Sequence, residues 1–175
     1  MTTIRPRPAE KRKWYGLSLR HLRIARRLLG AGFSDGAVFH VYHAYECALS
    51  AMIAAQGYVV PPEGWTKLAA PSGKPISSYP SPSGGIQERS AHKARVIFFN
   101  ELSDHAKPYF ATHSILSRFL TLSDRNRALY YDAVRDRLPH EAFNRSFAAA
   151  LLPRIRQFAQ ELWQDIRCCP GFSDA

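Results

Sequence analysis

The sequence predicts an all-α protein, folded as an antiparallel (up-and-down) bundle of five to six helices. Apolar residues recur at three- to four-residue steps through most of the chain, whereas no segment alternates apolar and polar residues as a half-buried strand does. Hydrophobic residues make up 46% of the 175 positions, which is the usual level of globular proteins and excludes global disorder. A chain of this length is expected to form one domain.

The first predicted helix follows a basic N-terminal arm. Residues 1–12 contain two prolines and the start of a Lys-Arg-Lys run, and they are predicted to be flexible. A helical apolar pattern covers residues 14–29, and Gly30 is expected to end that helix. The single domain is therefore predicted over residues 13–170, with a short tail at residues 171–175.

The second predicted helix is rich in small residues and leads into a long loop. Ser34 or Asp35 is expected to cap it, and it extends to about Gln56. Residues 58–85 contain six prolines together with several glycines and serines. Since proline fixes φ and removes a backbone donor, these residues are predicted to form a loop. A loop of this length is either functional, as a lid or a partner site, or poorly ordered.

The C-terminal half of the chain shows four further helical patterns. They are predicted over residues 86–104, 108–122, 124–138 and 144–168. Pro108 suits the first turn of its helix, and Pro139 is expected to end the third of these segments. Pro153 lies inside the last one, which predicts a kink or a later start.

The positive charge is concentrated near the N-terminus. The chain has 24 Lys+Arg against 14 Asp+Glu, a net charge of +10, and residues 1–27 alone contain nine of the basic residues and one acid. Such a surface suits an anionic partner, and nucleic acid is preferred over a membrane surface or a merely solvated helix face. The predicted nucleic-acid-binding residues are Lys11, Arg12, Lys13, Arg20, Arg23 and Arg27.

The cysteines and the apolar runs predict a cytoplasmic protein without a membrane segment. Three cysteines, two of them adjacent, do not form a disulfide framework. No apolar run is long enough to cross a membrane, and the N-terminus has no secretory signal.

Two helical segments together resemble a known family. The first pairs YGLSLRHLRIARRLL with AVFHVYHAYECALSAMIAAQG across a short glycine turn, and the second is DRNRALYYDAVRDRLPHEAFNRSFAAALLPRIRQFAQEL. Their order resembles the HEPN (higher eukaryotes and prokaryotes nucleotide-binding) family. The resemblance implies an up-and-down helical domain, often a homodimer. It also implies a metal-independent RNase of a toxin–antitoxin or phage-defence system, or a non-catalytic partner of a nucleotidyltransferase.

The family's active signature is an arginine followed, about one helical turn later, by a histidine. The arginine would contact the scissile phosphate, and the histidine would transfer a proton near neutral pH. Arg125 and Asn126 match the start of this signature, but Tyr130 stands where the histidine belongs, and its ordinary pKa makes it a poor base. Arg135 and His140 match the spacing formally, although Pro139 separates His140 from the helix. These five residues are the predicted catalytic residues.

A second group of residues shares one stripe of the second helix. His40, His43 and Cys47 have a spacing at which they could contribute ligands to a metal, with His105 or His113 as a fourth. The alternative is that they flank the core, and neither a metal nor a cofactor is predicted.

The sequence therefore predicts an RNA-binding, HEPN-like protein, either an RNase with a degenerate site or an interaction module that pairs with a nucleotidyltransferase, an antitoxin or another defence protein.

Overall fold

A computed structural model describes residues 8–56, 78–80, 86–88, 91–102, 104–130, 132 and 135–167. The predicted all-α class is confirmed for this part of the chain, with one small addition, an antiparallel hairpin inside the predicted loop. The helices are α1 (Pro8–Gly30), α2 (Ser34–Ala55), α3 (Ala91–Leu102), α4 (Pro108–Phe119), α5 (Leu122–Arg127), α6 (Pro139–Ala142) and α7 (Arg145–Arg167). The hairpin strands are β1 (Ser78–Pro80) and β2 (Ile86–Glu88), with Tyr79 opposite Gln87.

Helices α1 and α2 form an antiparallel pair joined by a tight glycine turn. Gly32 has a φ of +91°, which glycine adopts without the clash that a Cβ would cause. The backbone N–H of Phe33 donates to the carbonyl of Leu28 at 2.9 Å and closes the end of α1. Further along, the Ser18 hydroxyl donates to the Ala44 carbonyl at 2.7 Å. This contact is possible because small residues at these positions allow the two helices to approach closely.

Helix α7 completes the bundle against both members of that pair. The rings of Tyr15 and Trp163 stack at 4.3 Å between α1 and α7. Phe158 contacts Tyr45 of α2 with ring centroids 5.7 Å apart. Helix α2 is buried along most of its length, because α1, α3 and α7 cover it on different sides. Helix α7 continues through Pro153 without ending there.

Three helix boundaries differ from the sequence predictions. Helix α1 begins at Pro8, so residues 8–12 belong to the helix and not to a flexible arm. Residues 86–88 form a strand, and α3 begins only at Ala91. The helix predicted over residues 124–138 is wrong, because α5 ends at Arg127.

The chain after α5 turns back on itself. Asp136 has a positive φ of 50°, and the N–H of Asp132 donates to the Arg137 carbonyl at 2.9 Å, so helical geometry cannot continue there. The remainder of the loop predicted at 58–85, residues 1–7 of the basic arm, and the tail at 171–175 lie outside the described residues. None of the helices within the described ranges is long and apolar enough to cross a membrane.

Candidate active site

A buried carboxylate lies in the middle of α2. Glu46 is 2% exposed and is surrounded by groups from its own helix and from α3. His92 Nδ1 donates a hydrogen bond to Glu46 Oε1, and His43 Nδ1 lies 3.4 Å from Oε2. The guanidinium of Arg95 approaches Oε1 at 3.7 Å. We call Glu46, Tyr42, His43, His92 and Arg95 the Glu46 cluster.

The pKa of Glu46 shows that the cluster favours the ionised carboxylate. Burial alone raises this pKa, because a charged group loses its hydration. The imidazoles of His43 and His92 and the positive charge of Arg95 outweigh burial and lower the pKa from 4.5 to about 2. Glu46 therefore carries a negative charge at any pH near neutrality, and it can only accept hydrogen bonds.

The negative charge of Glu46 constrains which ring nitrogen carries the proton in the histidines that face it. His92 Nδ1 hydrogen-bonds the ionised carboxylate and must therefore carry the proton, which leaves its Nε2 for another partner. His43 Nδ1 lies within ion-pair distance of Oε2, a buried atom without a hydrogen-bond partner among the described residues. The His43 side chain is 21% exposed and that of His92 12%, so both rings reach the surface.

Two further histidines extend the cluster along α1 and α2. His21 Nδ1 lies 2.9 Å from His40 Nδ1, which requires one of these nitrogens to donate and the other to accept. Burial, followed by the neighbouring charges of His43 and His40, lowers the pKa of His21 to about 4. Burial and His43 also lower the pKa of His40. His21 is therefore neutral near pH 7.

Arg125 reaches the same region from α5. Its guanidinium lies over the Phe39 ring at 5.8 Å, and the Phe39 ring is 4.4 Å from that of His43. Burial and the charge of Glu46 raise the pKa of Tyr42, and the positive charge of Arg125 acts in the opposite direction. The Nε atom of Arg125 is buried and has no hydrogen-bond partner in the described part of the structure.

Helix α5 holds Arg125 in that position through a capping box. The Asp124 N–H donates to the Thr121 hydroxyl at 3.2 Å, and the Thr121 N–H donates to the Asp124 carboxylate at 3.0 Å. Arg125 Nη1 donates to Asn126 Oδ1 at 3.0 Å, so these two predicted residues are in contact.

The other predicted catalytic residues lie apart from Arg125. Tyr130 is 62% exposed and follows the end of α5. Arg135 pairs with Asp132 at 3.0 Å in the turn, and His140 is exposed in the first turn of α6. Among the described contacts, none joins Tyr130, Arg135 or His140 to Arg125. The early end of α5 removes the shared helical face on which the predicted pairing depended.

The predicted nucleic-acid-binding residues divide into two groups. Lys11 is only 3% exposed, so its ammonium is not part of the surface that the charge pattern predicts. The other five are exposed on α1, and they are Arg12, Lys13, Arg20, Arg23 and Arg27.

The three side chains that the sequence offered as possible metal ligands all lie on α2. His43 belongs to the Glu46 cluster, His40 contacts His21, and Cys47 is buried, which raises the pKa of its thiol to about 12. His113 accepts from the Tyr45 hydroxyl at 3.0 Å and contacts Asn100 at 2.8 Å. The described residues include no group of three or more His, Cys, Asp or Glu side chains arranged to hold a metal ion.

Glu46, His92 and Arg95 were not predicted as functional residues. One sequence signal could have found Glu46: it is a carboxylate among the alanines, valines and aromatic residues of a mostly apolar helix, three residues after His43. His92 and Arg95 carry no such signal, because they are 46 and 49 positions further along the chain.

Comparison with known proteins found no match to a protein-family model, to a curated protein or to a solved structure.

Proposed function

We propose that the protein is an RNA-binding, HEPN-like protein of toxin–antitoxin or phage-defence type, which cleaves RNA without a metal at the Glu46 cluster. The observation that carries the proposal is the buried Glu46 carboxylate, which accepts a hydrogen bond from His92 Nδ1 and lies 3.4 Å from His43 Nδ1. A carboxylate that orients an imidazole is a recurring arrangement in general acid–base catalysis. Here one carboxylate faces two imidazoles.

The chemistry requires one base and one acid, which two histidines supply. Nε2 of one ring takes the proton of a ribose 2′-hydroxyl, whose oxygen attacks the adjacent phosphorus. The bond from phosphorus to the 5′-oxygen breaks, and the other ring, which must begin the reaction as the doubly protonated imidazolium, gives its Nε2 proton to that leaving oxygen. The products are a 2′,3′-cyclic phosphate and a 5′-hydroxyl. Glu46 stabilises the imidazolium formed and acts as a positioning residue.

Arg125 supports the choice of a phosphodiester substrate. A guanidinium matches two phosphate oxygens and stabilises the charge that develops on them. Arg125 retains the role that its sequence position predicted, whereas we transfer proton exchange from Tyr130 and His140 to His43 and His92. Arg20 and Arg27, which are exposed on α1, would contact the phosphates that flank the cleaved bond.

A cleavage assay on a labelled tRNA pool and a labelled single-stranded RNA tests this function. We expect RNA cleavage in the presence of EDTA, with a cyclic phosphate at the new end, and no cleavage of DNA of the same sequence. His43→Ala and His92→Ala are each expected to reduce the rate at least a hundredfold, and Arg125→Ala to reduce it about as much.

The matched controls are the residues that the sequence singled out and the structure places elsewhere. His140→Ala and Tyr130→Phe change exposed side chains outside the cluster and are expected to leave the rate within about threefold. If these two variants lose activity while His43→Ala keeps it, the assignment to the Glu46 cluster is wrong. If the wild-type protein binds RNA and cleaves none, the protein is the non-catalytic binding member that the resemblance also allows.

The up-and-down, HEPN-like topology of the bundle is part of the same proposal. An antiparallel α1–α2 pair covered by α7 supports an up-and-down, HEPN-like bundle. A homodimer and a nucleotidyltransferase or antitoxin partner remain predictions, which a mass measurement in solution and co-purification would test.

A further inference from the structure

A groove lies between α1 and α7, on the side of α1 away from His21. It encloses about 260 Å³, and its lining consists of three leucines and three arginines. These residues are Leu19, Leu22, Arg23, Arg26, Leu152 and Arg156. The α1 residues extend over about two helical turns, or roughly 10 Å at about 1.5 Å per residue. The groove is thus an elongated apolar floor with cationic side chains along both sides.

The arginines of this groove lack acidic partners. All three are exposed, and no described residue forms an ion pair with Arg23, Arg26 or Arg156. On α7, the described ion pairs involve an acid only in the last turn, where Asp165 pairs with Lys107. Three uncompensated guanidinium groups around leucine side chains form a surface whose charge suits an acidic partner with an apolar stripe.

The lining argues against two other occupants. None of the described residues that line the groove is aromatic, whereas single-stranded RNA is bound through aromatic residues on which its bases stack. A second copy of this chain would bring six arginines together, because a two-fold contact places the same patch on both sides. Like charges opposed in this way disfavour association.

We infer that the α1–α7 groove binds an amphipathic helix of a partner protein, with leucine-like residues on one face and acidic residues on both flanks of that face. The apolar face of the bound helix would cover Leu19, Leu22 and Leu152, as in other complexes in which a helix occupies a groove. Its acidic flanks would pair with Arg23 and Arg26 on one side and with Arg156 on the other. This inference does not rest on the proposed RNase function.

The probe is a designed, fluorescently labelled peptide of about 15 residues, helical in design, with leucines at i, i+3, i+4 and i+7 and glutamates on both flanks. Its binding to the full-length protein is measured by fluorescence anisotropy. We expect saturable binding that weakens with salt, and a loss of about tenfold in affinity for Arg156→Glu and for Arg23→Glu. A peptide of the same composition with its leucines scattered around the helix is expected to bind at least tenfold more weakly.

Arg154→Glu is the matched control, because Arg154 is exposed on the same helix but does not line the groove. It changes the net charge as Arg156→Glu does and is expected to alter the affinity less than threefold. Equal losses for the two variants, equal binding of the scattered-leucine peptide, or displacement of the peptide by an equimolar single-stranded RNA would each overturn the inference. Far-UV circular dichroism of both variants confirms that they are folded. Since the assay measures peptide binding and not RNA cleavage, its result is separate from that of the cleavage assay.

Discussion

The replacement Glu46→Gln tests how much the buried carboxylate contributes to the free energy of unfolding. In the folded protein its pKa is lowered from 4.5 to about 2. One pKa unit corresponds to about 1.4 kcal/mol, so the ionised carboxylate contributes about 3 kcal/mol to the free energy of unfolding. The side chain is 3% exposed, which leaves little solvent to screen its charge. Glutamine keeps the size of the side chain but removes its charge, and we expect Glu46→Gln to lower the stability by about 3 kcal/mol at pH 7.

The same replacement has a defined pH dependence. A lowered pKa in the folded state means that the stabilisation is present above the unfolded pKa of 4.5 and is lost as the pH falls towards 2. The deficit of Glu46→Gln should therefore be constant from pH 7 to pH 5 and shrink to about half by pH 3. Urea unfolding followed by circular dichroism measures it at each pH.

Glu161→Gln serves as the matched control for that measurement. Glu161 is half-buried on α7 and accepts one hydrogen bond, from Gln157 at 2.8 Å, without a charged partner in the described contacts. We expect this change to cost less than about 1 kcal/mol. The reasoning fails if Glu46→Gln is as mild as the control at pH 7, or if its deficit is undiminished at pH 3.

Three further predictions concern the elements that support the site. Burial lowers the pKa of His113 to about 4. The wild-type protein should therefore lose stability as the pH falls from 6.5 towards 4, by up to about 1.4 kcal/mol per pH unit. His113→Gln should make that decline shallower in denaturant titrations. Gly32→Ala should destabilise the protein by about 1–2 kcal/mol in thermal unfolding, because alanine is strained at a φ of +91°. Gly16→Ala, inside α1, should instead stabilise the protein by up to about 1 kcal/mol. Equal effects of the two variants would contradict the turn geometry. Thr121→Ala removes the cap of α5 and should cost about 1 kcal/mol, and an unchanged unfolding midpoint would show that this cap does not hold the helix.

The elements that the sequence predicted well are those whose signals are local. The apolar stripes of α1, α2 and α7 and the glycine turn between the first two depend on residues that are close in the chain. The end of α5 was not predicted, because the residues after Arg127 have a sequence typical of a helix. The contacts that compete with helix formation come from the turn itself. Asp132 pairs with Arg135 there, and Asp136 adopts a positive φ.

The candidate site shows the same difference between local and distant signals. Arg125 was found because it belongs to a short motif, but its predicted partners were sought within one helical turn. The structure places it beside Phe39 and the histidines of α2 instead. Glu46 and His92 come together only when α3 packs on α2, and no spacing rule within one helix predicts that contact.

The proposed function depends most directly on the orientation of His43 and His92 by Glu46. Long-range ¹H–¹⁵N NMR of protein with ¹⁵N-labelled histidine reports which ring nitrogen carries a proton. We predict that Nδ1 carries the proton in both neutral rings and that Glu46→Gln removes this preference. A wild-type spectrum with bare Nδ1 and protonated Nε2 in either neutral ring would contradict the arrangement and, with it, the assignment of these two histidines as base and acid.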